Sequence, residues 1–456
     1  MTRQEILQEA RALLILGLPM VGSQVATFSM QITNTVMLGW YSVEALAAMV
    51  LSVTIYFSLF VLAAAYAWAV LPMVAAAVAN EDETEARRVT RMGFWICGIA
   101  SLIAQPILWF SEPILLSFGQ KPLIAEMASN YLIIMGPSLL PATGVMVLRS
   151  FLGALERTQV VLWVTVAAAL INAGLNYALI FGNWGFPELG LIGAAWATLA
   201  VQSVSFVVLA IYAALLPALR RYELFVRFWR PDWSAFGTVF RLGWPIGISV
   251  VSEHGLFAAT AVMMGWLGTI TLAAHGIALE IIATFFMMHL GLSQAVTVRA
   301  GRFFGKADVD GLRRVTAATG IIAFSVLIPT IATCLLAGEW LVGLFLDWSD
   351  PDRPAIIAAG ASLLVVAAFF QLADAGQVLV QGLLRGVQDT KVPMILASVA
   401  YWLVGIPTGY LLGIRLGFGG EGIWVGLIAG LVAAFIGLSL RFRRALRQAA
   451  PQALAV

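Results

Sequence analysis

Apolar residues fill this chain in long runs, without the strict alternation of a surface strand or the single stripe of a soluble helix. The runs fall roughly at 12 to 39, 45 to 79, 92 to 111, 123 to 148, 158 to 182, 190 to 216, 239 to 266, 271 to 298, 314 to 338, 355 to 384, 392 to 414 and 422 to 440. Each reaches or exceeds the ~20 residues a helix needs to cross a hydrocarbon layer, so the pattern predicts twelve transmembrane helices. In lipid every backbone N–H and C=O must be paired within its own segment, which makes the expected fold an all-α membrane protein.

The runs repeat an internal design. Shifted by 226 positions, "LGLP" (16 to 19) meets "LGWP" (242 to 245), and "VMLGW" (36 to 40) meets "VMMGW" (262 to 266). Later in each half a shift of 232 pairs Thr158 and Val160 with Thr390 and Val392. The expectation is two six-helix lobes, residues 1–216 and 239–456, joined by a basic cytoplasmic linker at 217–238. An even number of helices per lobe makes the repeat parallel, with a pseudo-two-fold axis along the membrane normal, and in that class alternating access comes from one lobe rocking against the other. Pro19, Pro72, Pro245 and Pro407 fall inside the runs and are expected to kink them.

Polar residues inside the runs are the candidate chemistry. Glu253 on the seventh helix, Glu280 on the eighth and Asp374 on the tenth are carboxylates well inside predicted spans. An ionised acid there costs roughly 2.5 to 3.5 kcal/mol on insertion scales, so it should face a cavity or a partner. Gln371, Asp374, Gln377 (or Val378) and Gln381 share one face of the tenth helix, ending at Arg385, and that stripe is expected to line something wet. The eighth helix sets Gly276, Glu280, Thr284, Met287 and Met288 at similar spacing. Met and aromatic faces, including Phe257, suit a cavity for varied apolar and cationic bodies, although such residues also serve as packing. In the first half the corresponding positions are uncharged: Gln24, Thr27, Gln31 and Asn34 on the first helix, and Asn172 and Asn176 on the fifth. Three histidines, His254, His275 and His289, have no metal-ligand spacing, so neither a metal nor another cofactor is expected.

Composition narrows the class. The chain has 456 residues, is 61% hydrophobic and only 11% charged, and has a mean hydropathy of +0.93. Two cysteines, Cys97 and Cys334, lie in separate runs and read as packing residues. Of 26 Lys and Arg, all but Lys121, Arg353 and Arg415 fall on the side holding both termini, which the positive-inside rule makes cytoplasmic. The basic pieces "RRYELFVRFWRPDW" and "RFRRALR" are thus topology signals with some attraction to anionic lipid, and nucleic acid is not needed to explain them. No G-x-x-x-x-G-K-[ST] motif and no soluble segment long enough to hold an ATPase are present, so transport driven by an ion gradient fits better than ATP-driven transport.

The segments "NTVMLGW", "LNYALIFGNWGFPELGLIGAAWAT", "RLGWPIGISVVSEHGLFAA", "LAAHGIALEI", "GLSQAVTVRAGRFFG" and "QLADAGQVLVQGLLRGVQDTKVPM" together resemble the multidrug and toxic compound extrusion (MATE) transporters, within them the bacterial NorM-like branch. The resemblance covers about residues 10 to 445. It implies antiport of organic cations and other amphipathic drugs against Na⁺ or H⁺, in the inner membrane of a bacterium and as a monomer. It also implies a cation site at Glu253 and Asp374 in the second lobe. Many relatives carry Asp in a "D-T-x-M-x-G" pattern on the first helix; here Asn34 stands there, with Asn172, Asn176 and Thr198 resembling the rest of that site. The substitution keeps oxygen ligands and removes the titratable charge. Glu280 is a second departure, where relatives often have Asn or Gln.

Three other readings compete. A lipid-linked oligosaccharide flippase of the same superfamily should present Arg or Lys in its cavity, and no basic residue lies deep in any predicted helix. A receptor or scaffold should carry appended signalling segments, and the tails are short. An enzyme should show a nucleophile, a base and a group that orients it, and none stands out.

Overall fold

The computed structural model describes residues 2–347 and 351–453, with side chains described up to residue 447. Among the described residues, twelve helices are long and apolar enough to cross a membrane. They are α1 (Arg3–Tyr41), α2 (Val43–Ala79), α3 (Glu83–Trp109), α4 (Pro122–Ala154), α5 (Thr158–Phe181), α6 (Leu191–Leu215), α7 (Trp233–Leu267), α8 (Thr269–Gly305), α9 (Val309–Gly343), α10 (Arg353–Gly386), α11 (Lys391–Arg415) and α12 (Gly419–Arg447). Several helices overrun their apolar runs by a turn or more of charged sequence, as at residues 3–11 and 299–305, because water and ion pairs there satisfy what lipid cannot. Short turns between spans are closed by local chemistry. Ser42, Asp82 and Asp308 accept from the backbone N–H three residues on and so cap α2, α3 and α9. Gly182 ends α5 in the left-handed region that other residues adopt only with strain.

The chain forms two compact units, one of residues Gly22–Gly247 and one of Met1–Val21 with Ile248–Val456. Both changes of unit fall inside helices, α1 and α7, rather than in the loop between Leu215 and Trp233. In the second unit the start of α1 packs on α8 through small residues. A Cβ on Gly291 would stand 2.5 Å from Val21 Cα, so only glycine allows that approach. About two turns further along α8, Arg299 donates from Nε and from a terminal nitrogen to the two carboxylate oxygens of Glu9, at 2.6 and 2.7 Å. In the first unit the start of α7 packs on α2, where a Cβ on Gly243 would meet the Tyr66 ring at 2.5 Å and Tyr66 stacks on Phe240.

The segment between α6 and α7 is docked on α3. Arg91 donates to the carbonyls of Leu224 and Glu223 at 2.7 and 2.6 Å, and Trp95 Nε1 donates to Phe228 O at 3.0 Å. Arg88 holds Asp232 through two bonds, and Asp232 also accepts from Ala235 N at the start of α7. Five backbone or carboxylate anchors from one helix make this basic stretch a fixed element of its unit.

α11 and α12 meet along a glycine seam. Gly405, Gly409 and Gly413 recur every four residues on α11 against Gly430, Gly426 and Gly422 on α12. A Cβ at Gly426 would lie 2.3 Å from Gly409 Cα. Such close backbone approach is how helices associate where lipid removes the hydrophobic drive. Pro407 lies on the same helix; it offers no N–H and its ring crowds the carbonyl four residues back, so the ladder gives way there. The turn before it, Ala400–Gly405, is π-helical, as is Leu411–Arg415.

Each unit has its own core. Trp424, Tyr401 and Phe370 are fully buried in one, Tyr131 and Phe151 in the other. Large apolar side chains such as Ile103, Leu170, Ile328 and Leu403 stay exposed along the spans, as surfaces against hydrocarbon require. Cys97 and Cys334 are buried and free, as packing residues are.

Candidate functional site

The polar stripe of α10 faces protein. Gln371, Asp374, Gln377 and Gln381 are all buried. Beside them α8 makes close contacts: Ser293 and Thr297 donate to the carbonyls of Val378 and Gly382 at 2.7 and 3.0 Å. Glu253 of α7 meets the stripe, with Gln377 Nε2 donating to its Oε1 at 3.5 Å. Asp374 lies within electrostatic range of Glu253, as does Arg385, which donates to Gln381 at 3.1 Å.

Why these groups converge follows from the packing of α7 on α11. Ser252 and Ser398 share a hydrogen bond of 2.9 Å, and a Cβ on Gly255 would meet Trp402 at 2.7 Å, so the turn holding Glu253 is pressed onto the turn holding Tyr401. The Tyr401 side chain is wholly buried beside Gln377 and within electrostatic range of Glu253, Asp374 and Arg385. Its hydroxyl lies against the Gln377 side chain, whose carbonyl oxygen lacks a well-formed hydrogen bond. A buried oxygen so placed beside two carboxylates is what a bound ion or a transferable proton would satisfy. Nothing in "ASVAYWLVG" marks Tyr401 as polar chemistry, since its position depends on the π turn.

The other sequence candidates of this unit are spread along two helices. Phe257 packs edge-on against Phe370, which packs against Trp424, whose Nε1 donates to His275 Nδ1 at 3.1 Å. Gln371 reaches the Cys334 sulfur at 3.3 Å. Glu280 shares no hydrogen bond or charge contact with the Glu253–Asp374 pair. On its helix Thr284 is exposed and bonds back to Glu280 O, while Met287 and Met288 are half-buried.

The unit Gly22–Gly247 carries an uncharged cluster instead. Asn176 Nδ2 donates to Asn34 Oδ1 at 2.5 Å and to Asn172 Oδ1 at 3.2 Å, which joins α1 to α5. Asn172 and Asn176 are buried, Asn34 half-buried and Gln31 exposed. Thr198 does not hydrogen-bond this cluster; its hydroxyl donates to Ala194 O of its own helix at 3.0 Å. Lower on α1, Gln24 Oε1 accepts from Arg149 of α4 at 3.0 Å. Arg149 overturns the expectation that no basic residue lies deep. It sits near the end of its apolar run, which reads as a rim position, yet its side chain turns inward.

Polar clusters enclosed within twelve candidate membrane spans are the arrangement expected of a polytopic membrane transporter. The sequence profile of the family described as MatE matches residues 19–178 and 245–411, and the chain belongs to that family, the MATE transporters. The family is one of transporters, not enzymes. The probable multidrug resistance protein NorM of Rhizobium meliloti is 43% identical over 447 residues, covering 97% of this chain and 95% of that protein. The protein of the same name from Agrobacterium fabrum is 40% identical over 432 residues, covering 95% and 93%. Among solved structures, the eukaryotic MATE transporter AtDTX14 matches with a TM-score of 0.84 at 19% identity, covering 98% of this chain and 99% of that one. A MATE P26A mutant matches with a TM-score of 0.87, also at 19% identity and covering 97% of each.

Proposed function

We propose that this protein is a secondary antiporter that exports cationic and amphipathic drugs, or other toxic organic compounds, in exchange for Na⁺ or H⁺. The observation that carries the reading is the pair of buried Asp374 and half-buried Glu253, backed by Gln377 and Tyr401. Two carboxylates enclosed in a membrane helix bundle hold a coupling cation in one state of the cycle and release it in another. Substrate cations then take the vacated charge. The names of the relatives, multidrug resistance proteins, support the substrate class.

In this reading Gln31, Asn34, Asn172, Asn176 and Thr198 are uncharged substrate contacts of the unit Gly22–Gly247, and Phe257, Thr284, Met287, Met288, Gln371 and Gln377 are adaptable substrate contacts of the other unit. Glu280 is an accessory carboxylate. The protein works as a monomer in the inner membrane with both termini in the cytoplasm, its two six-helix repeats rocking by alternating access. The test is export of a fluorescent organic cation from proteoliposomes under a Na⁺ or a H⁺ gradient imposed separately. Glu253→Gln and Asp374→Asn should each abolish stimulation by the gradient the wild type uses; fully coupled export by both variants overturns the proposal.

A further inference from the structure

Arg149 is a guanidinium inside a membrane-spanning helix with no acid to balance it. Its side-chain partner among the described residues is the neutral amide of Gln24, and no carboxylate acts on it. A charged side chain within a span is a functional candidate by default. The bland alternative is that Arg149, only five residues from the end of α4 at Ala154, snorkels to the membrane surface.

The geometry points the other way. Side chains on a helix tilt toward its N-terminus, so from α4 the Arg149 side chain leans toward Pro122 and the middle of the span, away from the nearer end at Ala154. Its partner confirms the direction. Gln24 lies ~18 Å from the start and ~22 Å from the end of the apolar run at 12 to 39, at 1.5 Å per residue, near the centre of that run. A guanidinium bonded to Gln24 is therefore held in the interior of the span by a group that satisfies one of its five N–H donors and none of its charge. Removing a charge from water without a counter-charge is unfavourable unless something else supplies it.

We propose that Arg149 and Gln24 form an oxyanion-recognising subsite in the unit Gly22–Gly247, and that its ligand is the carboxylate of an amphipathic, zwitterionic or anionic, substrate. Arginine suits this because its planar fork matches a carboxylate with two parallel hydrogen bonds. The Gln24 carbonyl holds the fork in place from one side. The polar face that begins at Gln24 continues along α1 through Thr27 and Gln31 to Asn34, giving the rest of such a molecule donors and acceptors to follow.

The inference rests on the proposed export activity, and one experiment separates the two. Proteoliposomes made of neutral lipid are loaded with a rhodamine bearing a free carboxylate or with its methyl ester, which differ only at that group. Transport of neither dye by the wild type overturns the export reading, and the subsite with it. Transport of both, with Arg149→Gln lowering apparent affinity for the free acid at least tenfold relative to the ester, supports the subsite; a ratio within twofold of wild type overturns it. Should Arg149→Gln not fold, Gln24→Glu decides. It gives Arg149 an internal carboxylate, so the fold is kept and free-acid preference should vanish; unchanged preference overturns the proposal. A lipid phosphate offers the same oxyanion chemistry. If added phosphatidylglycerol, rather than the free-acid dye, protects wild type but not Arg149→Gln against heat, the occupant is lipid and the substrate assignment fails.

Discussion

Asn176 Nδ2 bridges Asn34 Oδ1 at 2.5 Å and Asn172 Oδ1 at 3.2 Å, while its own Oδ1 has no partner. A neutral amide thus occupies the place where a charge on Asn34 would be felt most. Asn34→Asp keeps the acceptor for Asn176 and adds an ionisable group. Transport by this variant should gain a new pH or Na⁺ dependence on top of the wild type's own; parallel profiles for the two proteins would show that the cluster senses no charge. Asn34→Leu should lower stability by ~1–3 kcal/mol through the lost bond.

The Glu9–Arg299 pair is the best-formed ion pair described, with both members largely out of solvent. Breaking it from one side leaves a charge behind, so Glu9→Gln should destabilise the protein by roughly 3 kcal/mol. Thermal melts of the single variants and of Glu9→Gln with Arg299→Gln form a double-mutant cycle. Additive losses would mean the two groups do not stabilise one another.

Asp232 precedes α7, and its carboxyl is held below its ordinary value chiefly by the hydrogen bond from Arg88, with help from Ala235 N. A lowered folded value means that the stabilisation is complete above the usual aspartate value of ~3.9 and fades as the pH falls through the folded one. Both side chains are partly exposed, so the contribution is at most ~1 kcal/mol. Melting wild type and Asp232→Asn between neutral and strongly acid pH should give curves that differ at neutrality and converge in acid. A constant gap assigns the effect to the cap alone.

Gly426→Ala places a methyl against the backbone of Gly409. No side chain can move aside there, so the helices must separate, at a cost of about 1–3 kcal/mol. Gly98→Ala, whose Cβ would enter open space, is the control. Equal melting temperatures for the two variants would remove the seam as a packing constraint.

The sequence was most informative where the signal was compositional or periodic. Twelve runs predicted twelve spans because lipid leaves the backbone no other choice, and the polar face of α10 followed from helical spacing alone. Departures arise where a tertiary partner decides. Arg149 reads as a rim residue until Gln24 shows which way it turns. The stripe from Gln371 to Gln381 does not by itself show that Ser293 and Thr297 pack beside it. The changes of unit within α1 and α7 are invisible because an apolar run does not record which neighbour covers each of its ends.

The π turn at Ala400–Gly405 alters the phase of α11. In an unbroken α-helix Tyr401 and Gly405, four residues apart, would share a face, and Tyr401 would point at α12. One surplus residue per turn offsets that alignment by as much as ~100°, the rotation of a single helical residue. The glycine seam can then stay in register with α12 while the phenol is swung toward Glu253 and Asp374. Pro407, by lacking a proton to donate, sets the orientation of a side chain six residues before it.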